Sequence, residues 1–149
     1  MHVQNDTETV NLGKKIAAEL KGGDVVLLYG ELGAGKTTFT RGIAIGLGIK
    51  KNIVSPTFAL MSLYDIKRLK DCKIKRLVHI DTYRLENEKQ LIEIGAEDYI
   101  GDPETVCVIE WPEKLCEFVK DRKIIKIKIK AEKNNVRKIE INRDNRLLN

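Results

Sequence analysis

The chain has 149 residues, 27 of them basic and 22 acidic, for a formal charge of +5, with 42% hydrophobic and 33% charged side chains. That length fits a single domain on the usual scale of roughly 100–200 residues each, and this apolar content with a modest net charge excludes a disordered chain. Aromatic residues make up only 5%, so the core has to come mainly from Ile, Leu, Val and Ala.

In chain order, residues 7–21 carry Val10, Gly13, Ala17 and Leu20 at helical spacing, with Ile16 beside them, and Gly22-Gly23 as a stop. Val25 to Tyr29 is a short apolar run of the kind a buried parallel strand shows. A glycine-rich turn, 30–35, precedes a second helix from Lys36 to about Leu47, with Phe39, Ile43, Ala44 and Leu47 facing inward and Gly46 and Gly48 ending it. Ser55-Pro56-Thr57-Phe58 reads as a loop, because the proline pushes Ser55 out of the helical region. Strands are expected near 58–64 and 74–80 around a basic connector, Lys67 to Asp71, whose plain reading is a solvated hairpin tip.

A helix near 87–94 and a loop ending at Asp102-Pro103 lead to a buried strand at 106–109, and residues 113–119 look like one or two helical turns. In the tail, Ile125, Ile127 and Ile129 alternate with lysines, and Ile139 and Ile141 repeat the period of two, which predicts an antiparallel hairpin around Asn134-Asn135. Cys72, Cys107 and Cys116 form no CxxC pair and stand near no cluster at ligand spacing, which argues against a zinc site or a disulfide framework. The expectation is a soluble, cytoplasmic protein, since no apolar segment approaches the ~18 residues of a membrane span.

Gly30-Glu31-Leu32-Gly33-Ala34-Gly35-Lys36-Thr37 fits G-x-x-x-x-G-K-[ST], the phosphate-binding loop. A chance match in a chain of this composition has a probability of about 0.7%, and the strand before and helix after supply the context the motif needs. Glycines let successive backbone N–H groups converge on phosphate oxygens, and the helix that follows adds the positive end of its dipole. Lys36 then supplies a mobile charge for the β- and γ-phosphates, and the Thr37 hydroxyl suits Mg²⁺.

Such a loop needs a further acid. Leu77-Val78-His79-Ile80-Asp81 ends a strand in a carboxylate, as a Walker B strand does, although capping of the next segment also explains Asp81. Glu110, after the apolar run 106–109, is the second candidate, and the chemistry alone does not divide metal binding from water activation between the two. His79 reads as a packed or hydrogen-bonded core residue, Trp111 as packing or an interface anchor. Arg84 reads either as a phosphate or partner contact or as a surface ion pair to Glu86 or Glu88. No N-K-x-D segment for reading guanine is present, which favours ATP over GTP, and eight scattered arginines do not make the lid of a nucleotide kinase.

Four blocks, Gly-Glu-Leu-Gly-Ala-Gly-Lys-Thr-Thr-Phe-Thr-Arg-Gly (30–42), Ser-Pro-Thr-Phe (55–58), His-Ile-Asp-Thr-Tyr-Arg-Leu (79–85) and Val-Ile-Glu-Trp-Pro-Glu (108–113), in this order, closely resemble the TsaE (YjeE) family over about residues 7 to 142. The resemblance implies a small Mg²⁺-dependent P-loop ATPase that works with TsaB and TsaD in making N6-threonylcarbamoyladenosine at position 37 of tRNAs that read ANN codons. In that family the transfer chemistry belongs to TsaD, and hydrolysis by TsaE is thought to reset the complex.

The resemblance puts Gly33, Ala34, Gly35, Lys36, Thr37 and Thr38 around the phosphates, Thr37 and Glu110 on Mg²⁺, Asp81 in hydrolysis beside Lys36, and Thr9 next to the adenine. Ser55–Phe58 resembles the family's switch-like segment, and the basic connector near 67–75 stands either as a loop tip or as a tRNA contact. The fold expected is α/β, a P-loop NTPase-like three-layer sandwich with a mainly parallel central sheet, including 25–29, 77–81 and 106–110, and a C-terminal antiparallel hairpin extending or flanking it. An ATP-sensing binding module and a small P-loop kinase are the competing functional readings. No membrane or DNA partner is expected, and tRNA is met indirectly or weakly.

Overall fold

The computed structural model describes residues 1–56, 58–67, 73–115 and 117–144. Ten elements follow in order: β1 (His2–Val3), α1 (Asp6–Glu19), β2 (Asp24–Tyr29), α2 (Lys36–Gly46), β3 (Met61–Asp65), β4 (Arg76–Asp81), α3 (Lys89–Glu93), β5 (Thr105–Glu110), β6 (Lys123–Ala131) and β7 (Arg137–Asp144). They form a mixed α/β fold on one seven-stranded sheet of order β1-β7-β6-β2-β5-β4-β3. The middle of the sheet is parallel, through β6–β2, β2–β5 and β5–β4. The flanking pairs β4–β3, β6–β7 and β7–β1 are antiparallel.

Alternation along the central strands sends their side chains into two apolar layers. Val26, Leu28, Val106 and Val108 pack with Ile16, Ala17, Phe39, Ile43 and Ala44 of α1 and α2. Val25, Leu27, Val78, Ile80, Cys107 and Ile109 pack on the opposite side with Leu85, Leu91, Ala96, Ile100 and Leu115. Burial on both faces explains the unbroken apolar runs of β2 and β5, whereas β6 alternates, with Ile125, Ile127 and Ile129 buried and Lys128 and Lys130 exposed.

The structure decides some expectations and corrects others in detail. Of the two placements expected for the tail hairpin, it extends the sheet, because β6 lies parallel to β2 with Val26 opposite Ile125 and Leu28 opposite Ile127. The two-residue β1, which is too short to leave a periodic signal, pairs with β7. The helix expected at 87–94 is confined to Lys89–Glu93, since the Asn87 side chain accepts from Lys89 N at 3.0 Å and the chain turns left-handed at Gly95. Gly46 is the last residue of α2 rather than a stop beyond it. Thr57, the connector residues 68–72 with Cys72, and Cys116 lie outside the described residues.

α1 lies directly against α2 because glycines meet at the crossing. A Cβ on Gly42 would stand 2.4 Å from Val10 O, and one on Gly13 would stand 2.6 Å from Phe39 O. Both obstructions are backbone carbonyls, which cannot swing aside. Gly42→Ala gains about 1 kcal/mol of helix propensity, but the forced separation of the helices outweighs it. A net loss of about 1–3 kcal/mol in urea unfolding is expected.

Burial also silences one thiol: desolvation pushes Cys107 up to about 12. Peptide mapping after iodoacetamide treatment at pH 8 should find Cys107 unlabelled in the native protein and labelled once guanidinium has unfolded it.

Candidate functional site

The loop between β2 and α2 is shaped by its glycines. Gly35, immediately before α2, has φ +109, and a Cβ there would lie 2.7 Å from Arg137 Nε, so conformation and space both call for glycine. The Lys36 side chain folds back over the loop, where its Nζ donates to Gly30 O at 2.6 Å and Glu31 O at 2.9 Å and stands 4.0 Å from the centroid of the Trp111 ring. Burial holds this ammonium below its ordinary pKa, against the opposing pull of Glu110, Asp81 and Glu113.

Both candidate acids emerge where the parallel strands end. β4 and β5 pair with Asp81 opposite Glu110, and alternation turns both toward the side that carries α1 and α2. Glu110 is 3% exposed and Asp81 6%. Strand order separates them: β5 adjoins β2, which leads into the glycine loop, whereas β4 is one strand further out.

Thr37 Oγ1 accordingly donates to Glu110, at 3.0 Å from Oε1 and 3.3 Å from Oε2. Thr40 Oγ1 lies 3.5 Å from Oε1, and His79 Nε2 lies 2.8 Å from it. Asp81 has different partners, accepting from the Tyr83 N–H at 3.0 Å and from the Ser55 hydroxyl. One carboxylate is thus fixed to the start of α2 and the other to the segment beginning at Ser55.

A cleft of about 480 Å³ opens over these groups, lined by Leu32, Gly33, Gly35, Lys36, Thr37, Thr38, Ser55, Asp81, Tyr83, Arg84, Glu110, Trp111 and Arg137. Gly33, Gly35, Lys36, Thr37, Thr38, Asp81 and Glu110, expected at the site, meet there together with Ser55, Arg84 and Trp111. Ala34 is buried beneath and gives its carbonyl to Arg137 Nε at 3.0 Å. Thr9 does not line the cleft. Fully buried on α1, its hydroxyl donates to Asn5 O at 3.0 Å and accepts from Arg137 Nη1 at 3.4 Å. Arg84 stacks 4.8 Å from the Phe58 ring centroid and faces the cleft, which sets aside the reading of it as an ion pair to Glu86 or Glu88.

Arg137 was not legible as a site residue. Its guanidinium reaches Ala34 O, Thr9 Oγ1 and, at 2.5 Å, Asp6 Oδ1, so one side chain from β7 ties the glycine loop to α1. The paired register of the hairpin was the only available clue, and it does not specify a target a hundred positions earlier. The Glu110 partnership of His79 and the Trp111–Lys36 contact were missed for the same reason. Chemically, a hydroxyl and a carboxylate in contact are hard oxygen donors suited to a divalent cation, and an ammonium beside a helix N-terminus suits an anion.

The family model described as "Threonylcarbamoyl adenosine biosynthesis protein TsaE" matches residues 3–139. The chain belongs to the TsaE family. Three similar proteins, each called tRNA threonylcarbamoyladenosine biosynthesis protein TsaE, come from Bacillus subtilis, Treponema pallidum and Rickettsia prowazekii. The first is 43% identical over 72% of this chain, which spans only 62% of that relative's length. The second is 38% identical over 85% of this chain and 89% of the relative, and the third 35% over 97% and 96%. A crystal structure of Bacillus subtilis YdiB superposes with a TM-score of 0.72 at 34% identity, covering 98% of this chain and 86% of that one. No helix among the described residues is long and apolar enough to cross a membrane.

Removing the Arg137 clasp leaves the Ala34 carbonyl and Thr9 hydroxyl without their donor. Arg137→Ala should cost about 1–3 kcal/mol in urea unfolding, with amide exchange accelerated selectively around residues 33–35.

Proposed function

We propose that this chain is a Mg²⁺-dependent P-loop ATPase of the NTPase-like sandwich type. It acts in the cytoplasm with TsaB and TsaD in forming N6-threonylcarbamoyladenosine on tRNA, its hydrolysis resetting the complex between rounds. Family membership supports the pathway, since the relatives are named for tRNA threonylcarbamoyladenosine biosynthesis. The observation that carries the chemistry is that Lys36 and the Thr37–Glu110 pair face one cleft beside the first turn of α2.

In this reading the backbone amides from Gly33 to Thr38 and the Lys36 ammonium hold the phosphates of ATP. The donor set fits the metal. Mg²⁺ favours one or two protein oxygens plus substrate phosphates and water, and Thr37 Oγ1 and Glu110 supply the protein share. Among the described residues no group of three or more His, Cys, Asp or Glu gathers as an alternative. When bound, the metal supplies charge neutralisation on the phosphates and a fixed orientation for them.

The chain's own residues do the rest. Asp81, with both oxygens held by Tyr83 N–H and Ser55, orients a water for attack and links that event to the Ser55 segment. Trp111 confines the Lys36 ammonium from one side. Thr9 and Arg137 fix the position of α1 against the loop, and the adenine lies on the α1 side of the cleft. Turnover of this site alone is slow, and a partner protein raises it, as a group supplied in trans does for some GTPases.

Calorimetry with Mg²⁺ and ATP should give a single binding event that Lys36→Ala abolishes. Glu110→Ala should still bind ATP in chelator, but should lose the Mg²⁺-dependent part of the affinity and lower turnover by about 100-fold. Steady-state hydrolysis should rise on adding TsaB and TsaD. The absence of heat with wild-type protein well above micromolar concentration overturns the reading, and equally fast rates with and without the partners remove the partner requirement.

A further inference from the structure

The mechanism above uses Glu110 but leaves His79 without a task. β4 places it two residues before Asp81 on the same face, and its exposure is 0%. Nε2 reaches diagonally across the β4–β5 ladder to Glu110 Oε1 at 2.8 Å. Nδ1 is buried and has no hydrogen-bond partner among the described residues. Burying an imidazole is unfavourable unless it is hydrogen-bonded, so an apolar side chain of similar size would pack here at lower cost. Among the described residues, the bond to Glu110 is the one polar interaction this ring makes.

The distribution of donors over the carboxylate shows what that bond does. Oε1 is approached by His79 at 2.8 Å and Thr37 at 3.0 Å, with the Thr40 hydroxyl, which donates to Lys36 O at 3.0 Å, lying 3.5 Å away. Among the described residues Oε2 has only Thr37, at the longer 3.3 Å. One oxygen is saturated and the other keeps acceptor capacity. With Nδ1 unpartnered, no group among the described residues stands where the ring could pass it a proton, so its role is orientation rather than proton relay.

We propose that His79 is a positioning residue that anchors Oε1 of Glu110 and thereby presents Oε2 as the oxygen for the divalent metal. This rests on the reading of Glu110 as a metal ligand. Partners of this kind fix a ligand's rotamer, and their loss typically weakens metal binding by about 10–100-fold.

The test uses calorimetry with a non-hydrolysable ATP analogue, once with Mg²⁺ and once with a chelator. His79→Leu keeps the volume and removes the donor, so Mg²⁺-dependent binding should weaken by about 10–100-fold while binding in chelator is unchanged. His79→Gln, whose amide N–H reaches where Nε2 stood, should restore it, and His79→Asn, whose amide stops at the Nδ1 position, should not. If the leucine variant fails to fold, the Gln–Asn comparison carries the test.

Equal losses with and without metal, or glutamine no better than asparagine, overturn the proposal. Wild-type binding that is itself indifferent to Mg²⁺ overturns the metal reading of Glu110, and His79 with it. Kinetics give a second readout: a positioning role lowers kcat at saturating Mg²⁺-ATP in His79→Leu and recovers in His79→Gln, whereas a merely structural role lowers the amount of folded protein and leaves kcat per folded molecule intact.

Discussion

A nearly buried carboxylate at the end of β5 governs how this site is assembled. Burying Glu110 at 3% exposure is tolerable only if polar groups surround it, and the groups that do so come from separate elements: Thr37 and Thr40 from α2, His79 from β4. Satisfying that one side chain therefore fixes the height of α2 over the sheet and the register of β4 against β5. Because Thr37 sits in the first turn of α2, the same constraint brings the glycine loop and the N-terminal end of the helix over the acidic edge of the sheet.

A second set of contacts closes the assembly from the opposite edge. β7 is among the last elements of the chain, yet its Arg137 bonds Ala34 in the loop and Thr9 and Asp6 in α1. The glycine loop is thereby held on one side by Glu110 through α2 and on the other by a guanidinium from the hairpin. Pairing of β1 with β7 adds a backbone tie at the same end. The Gly13–Gly42 crossing allows α1 to lie close enough for Thr9 to meet Arg137. The packing of α1 on α2 and the arrangement of the cleft are consequently one problem.

Asp81, also buried, is held by a different set of groups. Its partners are a backbone N–H two residues on and the Ser55 hydroxyl, three residues before Phe58, which is 87% exposed and stacked with Arg84. The two acids stand opposite each other in the ladder, but one is bonded to a helix and the other to the half-buried Ser55 outside any helix or strand. That difference in support, more than any difference in their chemistry, distinguishes them.

Local rules reached far into this chain. The spacing Gly30 to Thr37 specified a strand, a turn and a helix, because backbone φ and space demand glycine at particular points. The alternation in 125–129 and 139–141 specified a hairpin with one apolar face, and the buried runs at 25–29, 77–81 and 106–110 specified the central strands. What sequence could not order was the neighbours. That β5 adjoins β2 while β4 lies one strand out, that β6 completes the parallel set, and that Arg137 returns to Ala34 all follow from long-range packing, to which no local periodicity is sensitive. Glu110 and Asp81 looked equivalent as strand-terminal carboxylates. Only strand order, which sets each one's distance from the loop, made them different.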